Sequence, residues 1–243
     1  MSMIQDIIRL PMGLMGVAAN HYDGLSHVHK FGAVPAMSQN NTGTIWDVND
    51  TTYPWSAFSS ATTLTVDRAS ASDADKEVLI QGLDGAYNEI SETVTLTSAT
   101  GNATTKSFIR VYRAYITNGS ATNVGNVTVK ASTTVVAQIT ATKGQTLMAI
   151  YTVPSGYSAY ILKGAATCQD GADATGDMFV RYFGESAFRV GHSFEVCGDG
   201  GEYMYEFGIP LRIPEKSDID IRASVRSNNA RVTAAFDMLL ERD

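Results

Sequence analysis

An all-β fold, a jelly-roll or Greek-key β-sandwich behind an extended N-terminal arm, is what this 243-residue chain predicts. Three observations point there. From Thr62 onward, short runs rich in Val, Ile, Thr and Tyr alternate with turn formers. No convincing helical period separates those runs, which excludes a parallel α/β sheet. Only 18% of residues are charged and 21 are glycine, a balance that suits sheets partly covered by neighbours.

The first 60 residues differ from the rest. Ile4, Ile7, Ile8 and Leu10 can line one face of a short helix limited by Pro11 and Gly13. The stretch that follows, through Phe58, is rich in Gly, Asn, Pro and aromatics without sustained periodicity. Large apolar rings without a strand or helix of their own need burial elsewhere. Residues 1–60 therefore read as an arm whose anchors Trp46, Tyr53, Trp55 and Phe58 bury themselves on a partner or on the chain's own sandwich.

Residues 61–243 read as the sandwich, divisible into half-sandwich units at about 61–142 and 143–243. Expected strands run 62–66, 78–83, 87–96, 107–117, 124–130, 135–140 and 146–153, then 157–168, 178–183, 188–196, 203–210, 219–225 and 231–240. The clearest lie between Val78 and Thr117, where Phe108, Arg110, Tyr112 and Ala114 alternate with Ile109, Val111, Arg113 and Tyr115. Gly82-Leu83-Asp84-Gly85, Gly101-Asn102, Asn118-Gly119, Pro154-Ser155-Gly156 and Asn228-Asn229 supply turns.

Net charge of −7, without a basic cluster, excludes nucleic acid as a partner, because phosphate binding concentrates Lys and Arg. No apolar run reaches bilayer length, so no membrane partner is expected, nor a cleaved signal peptide. Cys168 and Cys197 are too few for a disulfide scaffold and read as buried thiols.

Chemistry is scarce, and no enzyme and no cofactor are expected. Three of four histidines, His21, His27 and His29, fall in the arm, His192 stands alone, and no nucleophile elbow or phosphate loop appears. His27 and His29, at alternate positions of an extended chain, are the candidate metal ligands, with a polar turn as the competing reading. Their H-x-H spacing resembles the motif with which some trimeric phage spikes hold iron. Asp170, Asp173 and Asp177, with Glu195, Asp199 and Glu202, form acidic loops without EF-hand spacing. Beside them Tyr203, Tyr205 and Phe207 stripe one strand face. Tyr203, Tyr205 and Asp199 are thus a possible ligand surface, with sheet packing or a subunit interface as alternatives. A hydrolase built on these carboxylates has no positioned base or cleft to read.

The segments GTIWDVNDTTYPWSAF, LIQGLDGAYNEISETVTL and IYTVPSGYSAYIL resemble virion structural proteins of tailed, especially marine, bacteriophages: head-decorating, cement or fibre-like components. The resemblance covers most of residues 43–165. It implies a non-enzymatic capsid-decorating protein that assembles in the host cytoplasm, sits in the virion, and partners itself as a homotrimer and the major capsid protein through its N-terminal arm. The alternative it leaves open is a host-glycan or receptor-binding module of a phage tail or head fibre.

Overall fold

The computed structural model describes residues 13–169, 172–198 and 201–243. The helix expected around Ile4 to Leu10 lies outside them. A short helix α1 (Gly13–Ala18) leads in, beyond the limit set at Pro11 and Gly13, and its Val17 packs with Leu25 and Leu239.

Sixteen antiparallel strands follow among the described residues, in four sheets. The first sheet runs β1 (Leu25–Met37), β16 (Ala230–Arg242), β11 (Tyr157–Cys168), β14 (Glu202–Ile213). Facing it is β10 (Ile150–Thr152), β15 (Asp218–Val225), β12 (Ala174–Arg181), β13 (Arg189–Val196), with β2 (Thr42–Thr44) also on β15. The inner faces of both sheets share one core that includes Val34, Ile161, Met178, Val196, Ile221 and Phe236.

β2 and β10 act as one interrupted strand. Thr42 to Thr44 pair with Ser224 to Arg222, and Ile150 to Thr152 continue along Asp220 to Asp218. Between them Ile45 N donates to the Ile221 carbonyl, and Ile221 N to that of Ala149. With that composite strand counted second, the order is first, eighth, third, sixth in one sheet and second, seventh, fourth, fifth in the other. This is a jelly roll, built of two Greek keys.

The chain leaves the composite strand at Trp46, which bridges Met148 where it returns. The excursion between them forms a second sandwich. One of its sheets is β6 (Asn102–Phe108), β3 (Thr62–Arg68), β8 (Val127–Ala131), β9 (Thr134–Ile139). The other is β5 (Glu89–Thr95), β4 (Glu77–Leu83), β7 (Arg110–Ile116). Leu64, Val66, Val78, Ile80, Phe108, Val129 and Ile139 fill its interior. At the junction, a Cβ on Gly32 of β1 would stand 2.1 Å from the Ile45 carbonyl oxygen and 2.5 Å from Ala149 N. Only glycine lets the two sheets close there.

The described part of residues 1–60 is thus not an arm. Residues 25–37 are an edge strand of the jelly roll, and Trp46, Tyr53, Trp55 and Phe58 lie in the second sandwich's core. β6, absent from the expected strands, also forms. The expected strands at 62–66 and 203–210 extend to Arg68 and Ile213, and 146–153 shortens to Ile150–Thr152.

Candidate functional site: a buried joint and an open edge

Alternation in β15 sends Ile219, Ile221, Ala223 and Val225 into the jelly-roll core and Asp218, Asp220 and Arg222 outward. The outward face is not solvated, because the root of the second sandwich covers it. Asp218, 2% exposed, accepts from Arg110 Nε (2.8 Å) and Nη2 (3.0 Å), from Arg181 Nε (3.0 Å) and Nη2 (2.5 Å), and from Thr152 Oγ1 (2.6 Å). Asp220, fully buried, accepts from Thr44 Oγ1 (2.7 Å), Trp55 Nε1 (2.9 Å) and Arg222 Nε (2.9 Å). The guanidiniums also lie against aromatic faces, Arg110 on Trp55 and Tyr87, Arg181 on Trp55 and Phe188, and Arg222 on Phe179 and Phe188. Burial works against the Arg110 charge, but Asp218's hydrogen bonds and charge outweigh it and raise its pKa. Arg110 comes from the second sandwich and both acids from the jelly roll, so the cluster joins the two lobes.

The four expected anchors belong to this joint or its surroundings. Tyr53 packs edge-on to Trp46 and Trp55, at ring-centroid distances of 5.1 and 4.8 Å, and Phe58 is buried in the same core. Their binding partner, within this chain, is the chain itself. Tyr53's hydroxyl is buried without a hydrogen-bond partner, and desolvation raises its pKa.

The second feature is the edge bounded by β13 and β14, each paired on one side only. Between the two sheets here, Tyr203, Tyr205 and Phe207 stack against His192 and Phe194, and His192 Nε2 lies 2.6 Å from the Tyr203 hydroxyl. A Cβ on Gly176 would fall 2.2 Å from the Phe194 ring, so the glycine makes room for that ring. The space left there measures about 40 Å³. In this packing Tyr203 and Phe207 are half-buried and Tyr205 is exposed. Asp199 and Asp170 lie outside the described residues.

Outward, this edge is apolar. β14 pairs Leu211 with Ile161 and Glu206 with Lys163, so Phe207 to Pro210 bulge out opposite Leu162. Ile209 on that bulge is 86% exposed and Met204 73%. Of the nine exposed large hydrophobics among the described residues, Tyr205 is also on β14, Val190 of β13 sits beside Phe179 on the outer face of the second sheet, and Tyr182 and Phe183 follow β12, where Phe183 packs on Tyr87 of the second sandwich. The others are Leu14 and Met15 in α1 and Val124 in the second sandwich.

His27 Nε2 and His29 Nδ1 each lie 2.8 Å from Asp237 Oδ1 on the outer face of the first sheet, with Lys163 Nζ 3.4 Å from Oδ2. Asp237 loses some solvation there, but the hydrogen bonds from the two imidazoles and the Lys163 charge dominate and lower its pKa. Among the described residues no group of three or more His, Cys, Asp or Glu is arranged to hold a metal ion. Cys168 is buried, whereas Cys197, expected to be buried, is exposed.

The joint was missed in the sequence, yet its signal was present. In Asp218-Ile-Asp-Ile-Arg222, charges at every second position oppose apolar residues, and period 2 places all three on one face. The exposed apolar edge had no such signal, because a strand's sequence does not say which of its flanks lacks a neighbour.

No protein-family model and no curated protein matches the chain. Among solved structures, it is similar to a chain of the cowpea mosaic virus top component, naturally occurring empty particles, at 10% identity and TM-score 0.22, covering 72% of this chain and 80% of that one. It is also similar to infectious bursal disease virus: the Gt strain at 9% identity, TM-score 0.20, 96% and 83% covered, and the VP2 subviral particle at 9%, 0.19, 96% and 82%. Superpositions this loose specify neither family nor role. The jelly-roll order rests on the strand pairing alone.

Proposed function

We propose that the chain is a non-enzymatic structural protein of a virus particle, a capsid-decorating or cement component that associates with copies of itself along the β13–β14 edge. The observation that carries this reading is the exposure of Met204, Tyr205 and Ile209 along the edge strand β14, with Val190 exposed on its neighbour across the edge, β13. Large apolar side chains left exposed along an open sheet edge favour a contact there, and Met and aromatic residues are enriched in interfaces. The Phe207–Pro210 bulge interrupts the edge, and proline lacks the N–H that another strand would need. Contact there is therefore made by side chains rather than by strand addition. Closed homo-oligomers, a trimer among them, use such a patch without leaving it open. Docking onto a particle, expected of the whole N-terminal arm, falls to the segment ahead of β1, where Leu14 and Met15 are exposed.

The test is the mass of the full chain in solution by light scattering, beside a Met204→Asp/Ile209→Asp double variant. An oligomer that becomes a monomer with its far-UV circular dichroism unchanged, melting at a temperature no longer dependent on protein concentration, is the expected result. A wild type that is monomeric at every concentration tested would sink the proposal.

A further inference from the structure

We infer that the cleft between the two lobes, beside the free edge of β1, is a binding site for a carboxylate-bearing sugar, with Lys30 as the group that meets the carboxylate. The cleft holds about 470 Å³ and is bordered by Lys30, Gln81, Glu89, Tyr112, Arg113 and Gln145, among others. Pockets for small molecules begin at about 300 Å³.

The chemistry rests on Lys30, which is 7% exposed. An ammonium carries three N–H donors. One goes to the Tyr112 carbonyl, the amine lies over the Tyr112 ring, and among the described residues no carboxylate is paired with it. A buried amine without a counter-ion is costly to charge, and such perturbed groups cluster at functional sites. Arg113, which donates to Gln145 Oε1 at 3.0 Å, adds a second positive charge at the rim. Opposing them is Glu89, whose carboxylate accepts from the Tyr112 hydroxyl at 3.2 Å. The remaining titratable groups that face the cleft are His27 and His29 of β1, beside Asp237, and Tyr151 of β10. Two basic groups, with Glu89 held by the Tyr112 hydroxyl and a wall of amides, hydroxyls, imidazoles and aromatic rings, suit a polyhydroxylated ring bearing one negative charge. Two carboxamides and the faces of Phe31 and Tyr112 offer the hydrogen bonds and apolar contact that a sugar ring takes.

A proton requirement follows. Burial, with Arg113's charge adding to it, lowers the Lys30 pKa to about 7 in the free protein. A carboxylate meets the charged amine, so binding takes up a proton above that pH, and affinity falls about tenfold per pH unit.

The experiment is calorimetric titration of the full chain with glucuronate and galacturonate, with glucose and galactose as neutral parents and acetate as a charge control, at pH 6 and pH 8. Expected is binding of a uronate at pH 6, at least tenfold weaker at pH 8, with neither neutral sugar nor acetate matching it. Lys30→Met should abolish uronate binding while melting above wild type at pH 6, since an unpaired buried charge is gone. Arg113→Gln, on the surface, should weaken binding severalfold and serves if Lys30→Met does not fold. The inference is overturned if neither uronate binds, if a neutral sugar or acetate binds equally well, or if the folded Lys30→Met or Arg113→Gln protein binds uronate as wild type does. Loss of self-association at β14 would leave all of these readouts intact.

Discussion

Both lobes have apolar interiors, and their edges differ. In the second sandwich, the edge where β5 meets β6 is stitched shut: the Glu92 carboxylate accepts from the backbone N–H groups of Thr105 (2.7 Å) and Lys106 (2.8 Å). Burial opposes the charge of Glu92, but those bonds prevail and lower its pKa. Val124 is the single exposed large hydrophobic of that lobe among the described residues. At the corresponding edge of the jelly roll, β13 and β14 carry aromatic packing inside and Val190, Met204 and Ile209 outside. Interior patterning makes both lobes fold, while edge composition decides which of them has a surface left for a partner.

The contrast depends on the joint that holds the lobes together, and Asp218 is where it breaks most readily. Asp218→Ala leaves Arg110 and Arg181 without their carboxylate. Removing one partner of a buried ion pair costs about 3–5 kcal/mol. Urea unfolding should show that loss and split into two transitions as the lobes uncouple. One transition at the wild-type midpoint would mean that the joint does not hold them.

A smaller effect sits at the neck of the second sandwich. Asp47, 4% exposed, accepts from Thr140 Oγ1 at 2.8 Å, and burial, against those hydrogen bonds, raises its pKa from 3.8 to about 6. The folded chain then binds more protons than the unfolded one between those values, so this group's contribution to stability falls as pH rises through that window. Asp47→Asn keeps the acceptor without the charge. At about 1.4 kcal/mol per pH unit, it should gain about 1–3 kcal/mol at pH 8 and little at pH 4. Chemical denaturation at both pH values checks this; equal gains would remove desolvation of the charge as the cause.

How much of this was legible in the sequence depended on what faced inward. All thirteen expected strands form, and in those such as β4, β8 and β16 the buried positions carry apolar side chains at alternate residues. β1 escaped because its inward positions include Lys30 and Gly32 while Phe31 points out, which scrambles the polarity alternation. β6, with the sequence NATTKSF, buries Asn102 and Thr104, whose side chains satisfy backbone groups, and so reads as a turn-rich linker. Trp46, Tyr53, Trp55 and Phe58 are buried aromatics, as large rings without a strand of their own require. Their destination was not readable, because it depends on which outer face lies across from them.

The smallest effect on stability is also the sharpest use of the comparison. Val124→Asp and Ile209→Asp place the same charge at exposed apolar positions, one on each lobe. Neither side chain is part of a core, so each change should move stability by no more than about 0.5 kcal/mol. Their effects on association should differ. Ile209→Asp puts an unpaired carboxylate into the contact, where desolvating it is expensive, while Val124→Asp decorates a surface that meets nothing. Sedimentation velocity of the two variants should show dissociation for Ile209→Asp alone. If both dissociate, the patch extends across the lobes; if Val124→Asp alone does, the interface belongs to the second sandwich and the β13–β14 edge serves another partner.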